Sequence, residues 1–160
     1  MANLQSAVAR TLRFEDSTLS GKITHDAGGW TRFGIAEKYH PEVFPEMLTC
    51  SRERALELAA EVLKQYWCFD GVQEQDIAWK LFDMAVNLGL DTSIRLCQRA
   101  VGVPVDGKWG PKTEAAANAR LPLSLMEAFR QAAAEHYREV VAVNPANEKF
   151  LNGWLARAAA

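Results

Sequence analysis

The 160-residue chain lacks most of the marks of metal, disulfide or nucleic-acid chemistry. Its three cysteines, Cys50, Cys68 and Cys97, are an odd number without CxxC spacing. Each sits in an apolar neighbourhood, so free thiols and synthesis in a reducing compartment follow. His40 and His136 have no companions at metal-ligand spacing, which leaves no zinc site, and nothing else calls for a cofactor. No segment approaches the ~18 apolar residues of a membrane span. The opening MANLQSAVARTLRFED has no basic stretch followed by an apolar run, so it does not read as a secretory signal. Net charge is also small: 18 basic and 20 acidic residues are mixed along the chain and leave −2. That argues against a face built to neutralise a phosphate backbone. What is present is 49% hydrophobic and 24% charged residues with only six prolines. This is the composition of one compact domain, able to bury roughly two thirds of its extended surface without staples.

Hydrophobic spacing reads as mainly helical. Leu4, Val8, Thr11, Leu12 and Glu15 share one stripe of a helix over 3–15, with Asn3 as N-cap. From Asp16 to Gly34 the pattern breaks into hydroxyl residues and glycines around short β-favouring pieces, which suits a small hairpin lobe. Helices follow over 51–67 (capped by Ser51, with Leu56, Ala59, Ala60, Leu63 and Trp67 as its apolar stripe), 75–88, 92–101, 111–119 and 124–141. A last one is capped at Asn144-Pro145 and ends near Arg157. The helix over 75–88 is apolar on two sides except for a wedge at Lys80, Asp83 and Asn87, which places it at the centre of the fold. The reading is a mainly α, α+β architecture: a helical bundle with a β-hairpin lobe forming a cleft. It treats 1–160 as a single domain, with 1–90 as a catalytic region and 91–157 as a helical region packed on it.

Glu15 carries the most chemical information. It continues the buried stripe of its helix and stands at the negative end of the helix dipole, and both effects disfavour its anion. A carboxylic acid that keeps its proton near neutrality suits protonation of a glycosidic oxygen. The string His25-Asp26-Ala27-Gly28-Gly29-Trp30-Thr31 adds a second carboxylate in Asp26, a hydroxyl in Thr31 able to hold water, and paired glycines that let backbone turn beside a ligand. A plain hairpin turn with Asp26 bonding its own backbone is the structural alternative. Asp83 and Asn87 lie one turn apart on the central helix and can either contact substrate or cap neighbouring helices. Trp30 and Trp109 are the loop tryptophans to consider for stacking on sugars.

At these residues the chain resembles glycoside hydrolase family 108, the lysozyme-like N-acetylmuramidases. The likeness is carried by Glu15 closing the first helix, the Asp-x-Gly-Gly-x-Thr-x-x-Gly-Ile string from Asp26 to Ile35, and Tyr66-Trp67. It continues through the segment from Phe82 to Gly89, the stretch from Gln98 through Asp106-Gly107-Lys108-Trp109-Gly110-Pro111 to Thr113, and Phe150 to Arg157. The resemblance implies a lysozyme-like fold and hydrolysis of the β-1,4 bond between N-acetylmuramic acid and N-acetylglucosamine, with Glu15 as acid. It also implies bacterial peptidoglycan as the partner, while the charge balance argues against nucleic acid and the lack of a long apolar run against membrane insertion. One departure stands out: the family follows its glutamate with two glycines, where this chain has Asp16 and Ser17.

The expected site is therefore Glu15 as general acid, Thr31 holding the attacking water and Asp26 polarising it, with Asp16 and His25 open as alternatives for the second group. His25, Trp30, Asp83 and Asn87 are the candidate substrate contacts. Two separated carboxyls would give inversion. A monomeric phage endolysin, made in the host cytoplasm and reaching the periplasmic wall by holin-type or other assisted release, fits these expectations. A lytic transglycosylase and a wall-binding module without turnover are the rival readings.

Overall fold

A computed structural model describes residues 1–26 and 29–160, the side chain of Asp26 excepted. The expected loop glycine Gly28 and its neighbour Ala27 lie outside the described residues. The chain forms two compact units, Asn3–Asp70 and Gly71–Ala160, the second joined by Met1–Ala2.

The first unit begins with α1 (Leu4–Glu15). Asn3 Oδ1 accepts the Ser6 N–H at 2.8 Å, satisfying one of the donors that a helix start leaves open. Ala7, Val8, Thr11 and Leu12 form its buried face, which packs on α3 (Arg52–Lys64). Ser51 caps α3 by accepting the Arg54 N–H at 3.2 Å. The buried stripe of α3 is Ala55, Leu58, Ala59, Val62 and Leu63. Leu56 and Ala60, expected on that stripe, are only half-buried, so the helix is rotated by about one position relative to the spacing argument. Between the helices runs an antiparallel sheet in the order β1 (Thr24–Asp26), β2 (Gly29–Arg32), β3 (Ile35–Ala36). A short helix that hydrophobic spacing missed, α2 (Phe44–Thr49), buries Phe44 and Met47 completely. It is six residues long, under two turns and too short for a period to show.

In the second unit, α4 (Gln75–Leu88) is buried from Ile77 through Ala85, which confirms its central placement. Gly89, at φ 88°, ends α4 and starts α5 (Leu90–Val101), and Gly102 ends α5 in the left-handed conformation. α6 (Pro111–Ala119) begins on a proline, α7 (Pro122–Val143) is the longest helix, and a 3-10 turn (Pro145–Asn147) leads into α8 (Glu148–Ala159). The last helix, expected to be capped at Asn144-Pro145, begins three residues later at Glu148: what Asn144 caps, with Oδ1 accepting from Ala146 N at 3.2 Å, is the 3-10 turn. The architecture is mainly α with a small β lobe, as the spacing predicts.

Candidate active site

Glu15 is the last residue of α1, and the segment after it is organised by Asp16. Oδ1 of Asp16 accepts from Thr18 N at 3.2 Å and Thr18 Oγ1 at 3.0 Å, and Oδ2 accepts from Ser20 Oγ at 2.9 Å and Gly21 N at 2.8 Å. These bonds, that from the Gly21 N–H foremost, hold the Asp16 carboxyl well below the usual carboxylate range. Where the family likeness leads one to expect a glycine pair, an ionised aspartate folds the loop around itself.

The loop is tied to the sheet by Arg32, which is 7% exposed. Its Nε donates to Gly21 O at 2.9 Å, and its Nη1 donates to the carbonyls of Met47 and Cys50 at the end of α2. A second arginine, Arg52, donates from Nε to Leu19 O at 2.7 Å. A buried arginine whose partners are chiefly backbone carbonyls leaves no local periodicity, so the organising role of Arg32 was not readable in advance.

β2 and β3 are joined by Phe33 and Gly34, with φ of 51° and 77°. Two successive positive values mark a type I′ turn, whose twist matches that of the flanking strands. Phe33 accepts this conformation with its ring buried against Gly21, where a Cβ would stand 2.6 Å from the ring. A Cβ on Gly34 would stand 2.7 Å from Cγ of Glu15. The turn backbone therefore lies against the stem of the glutamate, and glycine alone meets both the φ and the approach.

Around that stem lies an open groove of ≈ 350 Å³. Its lining combines Glu15 and Asp16 with the hydroxyls of Ser17, Ser20, Thr24 and Thr31 and the ammonium of Lys22. Glu15 and Thr31, expected to work together, do share this groove. The expected burial of Glu15 does not hold: the buried stripe of α1 stops at Leu12, and Glu15 is exposed. The helix ends where its core-facing side would have continued.

The other candidates are placed differently. Thr24 pairs with Thr31 across β1 and β2, and the next pair, His25 with Trp30, points to the opposite face because side chains alternate along a strand. His25 and Trp30 therefore do not line the Glu15 groove. Their rings meet on the far face with centroids 4.4 Å apart, and Trp30 is 40% exposed. Asp83 is fully buried, with Arg157 Nε at 3.1 Å from Oδ2 and Nη2 at 2.8 Å from Oδ1. Lys80 completes the cluster by donating to Arg157 O at 2.7 Å. Two of the three wedge residues on α4, Lys80 and Asp83, thus form a buried ionic cluster that ties α4 to α8, and Asp83 has no face turned to solvent. Asn87 is exposed and accepts the Tyr137 hydroxyl at 2.5 Å. Asp26 is paired through its backbone with Gly29, and its carboxyl lies outside the described residues. Asp16, the alternative to it, is already bonded through both oxygens to its own loop.

The Asp106-Gly107 turn has a structural explanation. The amide of Gln98, 1% exposed, donates to Asp106 Oδ1, Lys108 O and Thr113 Oγ1 and accepts from Gly107 N. Trp109 is held through Nε1 to Glu114 Oε2 at 3.4 Å. Among the described residues no group of three or more His, Cys, Asp or Glu could hold a metal ion. Among the same residues no helix is long and apolar enough to cross a membrane.

Residues 13–89, which contain the whole groove, match the family described as Glycosyl hydrolase 108, and residues 92–159 match a Predicted Peptidoglycan domain. The class is that of glycoside hydrolases acting on peptidoglycan. Within it, the glycosyl hydrolase 108 match occupies the first half of the chain and is followed directly by the peptidoglycan-domain match, so that the two together span nearly all of it. The solved structure of Brucella abortus SagA is similar in fold, with a TM-score of 0.71 over 98% of this chain and 89% of that one at 19% identity. No curated protein matches the chain.

Proposed function

We propose that the protein cleaves the β-1,4 bond between N-acetylmuramic acid and N-acetylglucosamine in peptidoglycan, with Glu15 as general acid. The observation that carries this reading is the groove itself, in which the Glu15 stem lies against Gly34 and Thr31 shares the lining. Because Glu15 is exposed in the free protein, a bound glycan supplies the desolvation. Covering the carboxyl removes water from it and disfavours the anion just before it must donate to the leaving oxygen. Thr31 then holds the attacking water against the opposite face of the oxocarbenium-like carbon, and Asp26 polarises that water. Asp16 is unsuited to this second role, since its lone pairs are engaged by Thr18, Ser20 and Gly21. A water-based attack with the two carboxyls on opposite faces inverts the anomeric centre.

One specific observation favours a second reading. Both Asp16 oxygens are bonded within its own loop, and a lytic transglycosylase needs only one acid, the role given to Glu15, with the sugar's own hydroxyl replacing water. Digestion of purified Gram-negative peptidoglycan separates the two. Hydrated N-acetylmuramic acid ends, reduced roughly 10²- to 10⁴-fold in Glu15→Gln, are the expected products. Anhydro ends would transfer the assignment to the transglycosylase. The role proposed for the activity is host lysis by a monomeric endolysin made in the cytoplasm, where Cys50, Cys68 and Cys97 stay free, and released to the periplasmic wall by a holin-type pore. Cells producing the protein should then lyse only when such a pore is co-expressed.

A further inference from the structure

A larger concavity, ≈ 450 Å³, lies between α7 and α8 within the unit that carries the peptidoglycan domain, and shares no lining residue with the Glu15 groove. One wall is a stripe of α7: Glu127, Arg130, Gln131, Glu135 and Arg138, with Ala134 between them. At 1.5 Å of rise per residue the stripe from 127 to 138 is roughly 16 Å long. Its charges run negative, positive, negative, positive along that length. The facing wall is apolar and small, made by Leu155, Ala158 and Ala159 of α8.

Adjacent opposite charges on a helix ordinarily pair with each other. Here none of the four pairs with another of the stripe, and Glu127, Glu135 and Arg138 form no ion pair with any described residue. Arg130 donates from Nη2 to Ala160 O at 3.0 Å, which fixes the guanidinium at the edge of the concavity, while its Nε is buried without a partner. Gln131 donates to Glu127 at 3.4 Å, at the outer limit of a hydrogen bond. A groove whose alternating charges do not neutralise one another selects a ligand that carries both signs at similar spacing.

Peptidoglycan has one such component. Its glycan is made of N-acetylated sugars whose lactyl carboxyl is consumed in an amide, whereas its stem peptide bears free carboxylates and the amino group of a diamino acid. We infer that the α7–α8 groove binds the stem peptide, with Arg130 and Arg138 taking its carboxylates and Glu127 and Glu135 its ammonium groups. This rests on peptidoglycan being the substrate, and it assigns the two polymers of that substrate to two separate surfaces. Glycan enters the Glu15 groove, and peptide is held by the second unit.

The test titrates the ¹⁵N-labelled full chain with two probes: a free stem tetrapeptide containing γ-linked glutamate and diaminopimelate, and the peptide-free disaccharide. The peptide should shift backbone resonances over 127–138 and 155–159, and the disaccharide should leave them in place. Arg138→Glu and Glu135→Lys should each weaken peptide binding about tenfold or more, the scale of one lost charge-assisted contact turned repulsive. Both side chains are exposed, so the thermal midpoint should not move and lost binding cannot be put down to unfolding. Peptide shifts elsewhere, or wild-type affinity in both reversals, would overturn the proposal. If the wild type releases sugar ends yet α7 ignores the peptide, the hydrolase reading stands without the groove. If α7 binds peptide and no ends are released, the groove stands without the hydrolase reading.

Discussion

A carboxylate can serve a glycosidase in two ways, as an acid on the substrate or as a device that shapes the protein around it, and adjacent residues here divide those tasks. Asp16 gathers the N–H and hydroxyl donors of residues 18–21, and its depressed titration has a definite consequence for stability. A group whose folded value lies below its unfolded one stabilises fully above the unfolded value, near pH 4 for aspartate. That contribution is lost as pH falls from there through the folded value. Thermal midpoints of the wild type and Asp16→Asn should therefore differ at pH 7 and converge as the solution is taken well below pH 4. A gap that stays constant with pH would mean that Asp16 does not stabilise as an anion. The thiols follow a parallel logic with opposite sign. Burial pushes Cys97 up to about 12 and, with the Asp70 charge as a lesser cause, Cys68 up to about 11. Iodoacetamide at pH 8 should accordingly leave both largely unmodified until the protein is unfolded, as peptide mapping would show.

At the scale of elements, the β2–β3 turn is where fold and chemistry meet. Gly34→Ala forces a Cβ into the left-handed region, at a cost of about 1–2 kcal/mol, and into the space of the Glu15 stem, 2.7 Å away. Activity should fall by more than tenfold while the melting temperature drops only a few degrees. An active, merely destabilised Gly34→Ala would show that the acid does not depend on this contact. The link between α4 and α8 behaves differently because it is buried. Removing one partner of a buried ion pair leaves the other uncompensated, so Asp83→Ala should lose about 3–5 kcal/mol in urea unfolding. Arg157→Ala should lose a similar amount, and the double substitution much less than the sum of the two. Several elements were legible beforehand: α4 and α6 have the bounds that their spacing indicates, since each has clear apolar sides or a proline start and glycine nearby. α2 was not, because its short run of Phe44, Met47 and neighbours is helical only through what it packs against.

At the scale of the molecule, the family boundary and the packing boundary do not coincide. The hydrolase match ends at residue 89, yet α4 (75–88) packs with α5 and α7 in the compact unit that begins at Gly71. Trp79, Leu81, Phe82 and Met84 of α4, each 2% exposed or less, fill the centre of that unit. A chain beginning at Gly71 should fold with a cooperative thermal transition. One beginning at Thr92, the first residue of the peptidoglycan match, should not, because it loses those side chains and leaves Arg157 buried without Asp83. Circular dichroism melts of the two chains would decide. A cooperative melt from the shorter chain would mean that α4 is dispensable to the core.

The sequence by itself determined the mainly α class, the central position of the helix over 75–88, and the grouping of Glu15 with Thr31. Each of these rests on local spacing or on short motifs, and both are written along the chain. Only the tertiary structure decided the rest. Glu15 is exposed because its helix stops a turn before the core would cover it, and Asp83 is internal because Arg157, 74 residues away, reaches it. His25 and Trp30 leave the groove because the strand pleat turns them away from Thr31. Partners distant in sequence, and the face on which a strand residue falls, are settled when the chain packs and leave no trace in local periodicity.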